Sequence, residues 1–138
     1  DNSAEDSLRV ALQAYAKADL QLYQNKKEEA LQLFLAILQK HKGESIEEGT
    51  LFKVGKIYEE KGDFNKALTY YQNILDNHKD GIYKDEALYF SAEIYRKHLL
   101  DNEKAKALYE KVVLEHPDSL YYTESRKQYR TLRGDSTI

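Results

Sequence analysis

The sequence contains no cysteine, methionine or tryptophan, a single proline and only six glycines among 138 residues. Without cysteine there are no disulfides, thiol nucleophiles or thiolate metal sites, and the redox compartment stays open. Proline and glycine together come to about 5% of the chain, against roughly 12% ordinarily. So few turn formers do not build an all-β fold. No apolar run approaches the roughly 18 residues that a membrane span needs. Neither charge sign dominates: 21 Lys and Arg face 24 Asp and Glu, for a net charge of -3. That balance argues against a nucleic-acid partner, which selects a basic stripe to release phosphate counterions. The one basic concentration, Arg126, Lys127, Arg130 and Arg133 beside Glu124, reads as the solvated face of a last helix whose dipole it complements. A chain that begins at Asp1 and holds no methionine reads as a processed product or a fragment, the C-terminal part of a larger protein.

What the sequence does have is a repeat. The segments Glu28–His41, Asn65–His78 and Glu103–His116 share one register, at steps of 37 and 38 residues. Ala30, Ala67 and Ala105 form one column; Phe34, Tyr71 and Tyr109 a second; Ile37, Ile74 and Val112 a third. Such self-similarity is the signature of stacked units. Apolar residues three and four apart, such as Leu31, Phe34, Ile37 and Leu38, give each segment helical periodicity. A second amphipathic run precedes two of them: Leu51, Val54, Gly55, Ile57 and Tyr58, then Leu88, Ser91, Ala92, Ile94 and Tyr95. Each unit is therefore a helix pair, A then B.

Turn chemistry supports the split. Lys61-Gly62-Asp63 supplies a glycine for a left-handed helix end and an acid to cap the next helix. Asp101-Asn102 does similar work in the third unit, which is one residue longer there, and Asn25 takes the Gly62 place in the first. Gly55, Ala92 and the alanine column fall where paired helices must cross closely. The expected order is A1 (about 5–24), B1 (27–41), A2 (46–61), B2 (64–78), A3 (83–99), B3 (102–115) and a last helix C (120–133). Helix C covers B3 with Tyr122, Tyr129 and Leu132.

Catalytic chemistry finds little support. His41, His78 and His116 recur at one position, but packed helices lie about 8–10 Å apart while zinc–imidazole bonds are about 2.0–2.1 Å. The three cannot converge, and no metal site or cofactor is expected. Adjacent acids such as Glu28-Glu29 and Glu59-Glu60 do not face each other on a helix. There is no Ser/His/Asp constellation, HExxH motif or phosphate-binding glycine loop. The chain reads as no enzyme.

Leu51, Gly55, Tyr58, Gly62-Asp63-Phe64, Ala67, Tyr71 and Ile74 resemble the tetratricopeptide repeat. Leu88, Ala92, Tyr95, Ala105, Tyr109, Val112 and Pro117 repeat the pattern. The first unit matches only in helix B, because Lys17 or Gln21 falls where the family has apolar residues. The family unit is 34 residues, so these units are longer, partly in the linkers. Asp118-Ser119-Leu120-Tyr121-Tyr122 and the ending from Tyr129 to Asp135 resemble strings in large exported repeat proteins of the Bacteroidetes type. That resemblance implies a periplasmic or cell-envelope location, with the cytoplasm still open.

The family resemblance implies an all-α fold, an α–α superhelix of three helical hairpins closed by a C-terminal capping helix. It forms one domain over residues 1–138, with repeats at about 8–43, 46–80 and 83–117 and the cap at 120–133. The A helices would line an inner groove. On it the register places Phe52, Lys56 and Glu59 from A2 and Tyr89, Glu93 and Arg96 from A3. Lys56 would meet Glu93, and Glu59 would meet Arg96. These pairs either bridge neighbouring helices or frame a groove in which Phe52 and Tyr89 anchor a peptide. The implied function is a protein–protein interaction scaffold. The rival is a structural module that packs on the rest of its own chain or forms a homodimer.

Overall fold

Residues three and four apart in the repeat become the buried faces of helices in the computed structural model, which describes residues 2–135. The order is α1 (Asn2–Tyr23), α2 (Lys27–Lys40), α3 (Glu47–Glu60), α4 (Phe64–Asn77), α5 (Lys84–Ile94), α6 (Asn102–Glu115) and α7 (Tyr122–Arg133). The described residues contain no strand, so the protein is all-α, a helical-repeat fold. Two helix starts differ from expectation by two residues or more. The first helix begins earlier, at Asn2, and the last begins later, at Tyr122. Ser119 accounts for the late start: its Oγ accepts from the Tyr121 amide at 3.0 Å and donates to Asp85 at 2.6 Å, holding the chain in a turn.

The helix ends follow the expected turn chemistry. Asn25 (φ 62°), Gly62 (φ 81°) and Gly134 (φ 93°) take the left-handed conformation. Each closes a paired hydrogen-bond motif: Gly62 N donates to Glu59 O and Asp63 N to Tyr58 O, at 3.0 and 2.9 Å. Asn25 with Lys26, and Gly134 with Asp135, reproduce the same two bonds. In the third unit α5 does not simply continue to residue 99. Its last turn, Tyr95–Leu99, is a π-helix, which absorbs the extra residue of that repeat. Leu100 (φ 52°) then takes the left-handed position. The Asp101 side chain caps α6 by accepting from the Lys104 amide at 3.1 Å, while the matching bond from the Lys66 amide to Asp63 is a long 3.5 Å.

The three linkers after the B helices fold alike. The carbonyls of His41, His78 and His116 accept from the amides of Glu44, Gly81 and Ser119 at 3.1, 3.0 and 3.1 Å. The repeated histidine thus marks a repeated turn.

The chain divides into two compact units, Asp1–Tyr70 and Tyr71–Ile138, and the division falls within α4. In the first unit α1 packs on α2 and α2 on α3. Its core joins Ala18, Ala30, Leu31, Phe34, Ile37, Val54 and Ile57. Tyr58 of α3 stacks on Tyr70 of α4 with centroids 5.7 Å apart. In the second unit α5 packs on α6 and α6 on α7. There Ala92, Ala105 and Tyr109 form the centre, with Tyr129 and Leu132 of α7 laid against it. Every member of the three repeat columns is buried. The alanines let the helix pairs approach; the rings and branched side chains fill the space between.

Candidate functional site

In the first unit the exposed side of α3 carries Phe52, Lys56 and Glu59, all half-buried. Positions 52, 56 and 59 fall four and three apart, so they share one face of the helix. Lys56 Nζ lies 3.8 Å from Glu59 on its own helix. One residue that the sequence reading missed belongs here: Lys53, whose Nζ donates to Asp19 of α1 at 2.9 Å. Its signal was visible, because Asp19 in α1 occupies the register position of Lys56 in α3, 37 residues on. Pairing between successive A helices therefore exists in this unit, through residues other than those proposed.

In the second unit Tyr89, Glu93 and Arg96 come from α5 and its π turn. The structure brings all three close to Tyr109 of α6. Glu93 is only 8% exposed, so little of it is left for a partner to touch. Its carboxylate accepts from the Tyr109 hydroxyl, from Arg96 Nη2 at 2.9 Å and from Lys97 Nζ at 2.9 Å. Arg96 Nε in turn donates to the Tyr109 oxygen at 3.0 Å. Burial alone would raise the Glu93 carboxyl, but the hydrogen bonds from Tyr109, Lys97 and Arg96 outweigh it and leave it below its ordinary value. The Tyr109 hydroxyl moves up, through burial first and then through its bond to Glu93. A fully buried phenol needs a polar partner, and Glu93 is that partner.

Tyr89 remains half-buried. Its ring stacks on Tyr121 at 4.4 Å and 17°, and meets Phe90 and Tyr109 edge-on at 5.5 and 6.1 Å. Burial, then the nearby Glu93 charge, pushes its hydroxyl up to about 12. Tyr121, from the linker before α7, was not foreseen as part of this surface. It holds the Tyr89 ring in one orientation, which lowers the entropy lost when an apolar group packs against it.

Chemically the two surfaces are alike: one half-exposed ring with a cation beside it, Phe52 with Lys56 and Tyr89 with Arg96. Neither gathers groups for acid–base or nucleophilic work. Among the described residues no three His, Asp or Glu side chains are grouped as a metal would require. No helix of the described residues is long and apolar enough to cross a membrane.

Comparison with known families agrees with this geometry. Residues 50–81 and 86–119 each match the family model described as tetratricopeptide repeat. The matches cover α3–α4 and α5–α6; the hairpin α1–α2 lies outside them, although its Ala30, Phe34 and Ile37 fill the same buried columns. No curated protein sequence matches the chain.

Proposed function

We infer that this chain, which carries two tetratricopeptide repeats, is a non-enzymatic interaction scaffold that holds a peptide or protein surface against its A helices. Such repeats mediate protein–protein contact in general, and the finer assignment rests on one observation. Phe52 and Tyr89, at the same register in successive A helices, stay half-buried where core rings at Phe34, Tyr71 and Tyr109 are fully enclosed. Each offers an apolar face flanked by a long cation, Lys56 or Arg96. Aromatic and arginine side chains dominate binding energy at interfaces. Glu93 contributes indirectly, by fixing Arg96 and Tyr109. Glu59 and Lys53 form a polar rim. The linker and C-terminal strings favour a place within a longer exported repeat protein.

Peptides selected by display against the intact chain test this reading. Binders should lose most of their affinity for Phe52→Ala and for Tyr89→Ala, with the helical circular dichroism signal unchanged. Binders that hold both variants as tightly as the parent, or a library that yields none, would sink it.

A further inference from the structure

The longest helix, α1, carries an apolar ridge that nothing in its own unit covers. Leu8 (42%), Leu12 (50%) and Leu20 (52%) are exposed, as is Ala16 between them. These residues are spaced four apart, so they form one i±4 ridge along the helix. It lies apart from the buried face, which is marked by Ala11 and Ala18. Of the other exposed positions on the helix, Asp6, Arg9, Gln13 and Lys17 are polar, while Val10 (46%) and Tyr23 (89%) are exposed outside this i±4 row.

We propose that this ridge is the contact of a symmetric homodimer, in which α1 packs antiparallel on α1 of a second copy. The four positions are placed symmetrically about residue 14. Antiparallel pairing about that point sets Leu8 opposite Leu20 of the second copy and Leu12 opposite its Ala16, twice over by symmetry. The charges agree with the same register. Arg9 falls opposite Asp19 of the second copy, and no like charges along the ridge face each other. A parallel arrangement would instead bring the two Arg9 side chains together.

Helices that pack along their i±4 rows cross at about −50°, with axes about 8–10 Å apart. Ala16 lies next to the crossing point, where a small side chain permits close approach. Arg9 now pairs with Asp6 at 3.1 Å on an open surface, and Asp19 with Lys53 at 2.9 Å. Asp19 has lone pairs to accept a second donor, so the dimer contact need not break the existing bond. An isologous contact of this kind closes on itself and stops at two copies.

Sedimentation velocity across a concentration series tests the proposal. The parent chain should show a reversible monomer–dimer equilibrium. Leu12→Glu should be monomeric over the same range with its helical signal intact, whereas Leu120→Glu, at an exposed leucine outside α1, should behave as the parent. Charge exchange tests the register. Arg9→Glu alone and Asp19→Lys alone should each weaken the homodimer roughly tenfold or more, the scale of close interfacial charge pairs. Mixing the two variants should restore a heterodimer, since every pair is then of opposite sign. A parent chain that stays monomeric throughout, a dimer that survives Leu12→Glu, or a mixture no tighter than its components would overturn the proposal.

Discussion

Phe34 and Tyr109 occupy the same column of the repeat and are equally buried, yet the two hairpins close over them by different means. Phe34 sits in an apolar nest, with Tyr15 meeting it edge-on at 5.3 Å and Ala30, Ile37 and Val54 around it. Tyr109 brings a hydroxyl into the same place. The second unit answers with Glu93, Arg96 and Lys97, a network that the first unit has no need of. The ring sets the helix spacing in both; the one added oxygen decides whether the surrounding helix must bury charge.

The largest effect should come from emptying the column. Phe34→Ala removes a ring at 0% exposure and should cost about 3–5 kcal/mol in urea or thermal unfolding. Loss of only a fraction of that would mean that the first hairpin collapses into the space, and that its apolar nest is looser than the second unit's network. Next in size is Tyr109→Phe, which keeps the ring and deletes the oxygen. Glu93 then loses one donor while staying buried, and Arg96 loses an acceptor, so about 1–3 kcal/mol should be lost. A neutral Tyr109→Phe would show that the two hairpins are interchangeable after all.

The contrast also separates the two regions by pH. Burial raises the Glu93 carboxyl, and its hydrogen bonds more than offset this, holding it below the ordinary 4.5 in the folded chain. In that window the unfolded chain binds more protons, so stability rises with pH. The contribution of Glu93 is complete above about 4.5 and is lost as the pH falls through its lowered value. Glu93→Gln should therefore flatten the acid limb of the stability–pH curve. An acid limb unchanged in Glu93→Gln would mean that its hydrogen bonds do not survive in solution.

Much of the fold was legible because it rests on short-range signals. The alanine and aromatic columns fixed the register, and Asn25 and Gly62 marked helix ends where positive φ is required. The extra residue of the third unit was visible as length. Its conformation was not, since nothing local distinguishes a π turn from a longer loop. The structure suggests why the turn forms: Tyr95 keeps the place of Tyr58, under the Lys104 side chain at 5.5 Å, so the insertion must be absorbed after it. The candidate surface was legible in part. Phe52 and Tyr89 follow from helical register, whereas a charged residue such as Glu93 reads as solvated until its partner is known. That partner, Tyr109, lies 16 residues away on another helix.

The smallest effect tests the two hairpin turns against each other. Leu100 holds φ at 52° with its side chain 77% exposed, so the residue pays a backbone penalty without gaining a packed side chain. For an L-residue the left-handed region costs roughly 1–2 kcal/mol, and glycine's own entropic cost is roughly 0.5–1 kcal/mol. Leu100→Gly should then stabilise the second unit by on the order of half a kcal/mol. Asn25 holds φ at 62° in the equivalent turn of the first unit, but asparagine tolerates that region, so Asn25→Gly should change little. Thermal unfolding of the two variants side by side decides the matter. If Leu100→Gly is destabilising while Asn25→Gly is silent, the leucine side chain is held by an interaction that outweighs its backbone strain, and the π turn depends on it.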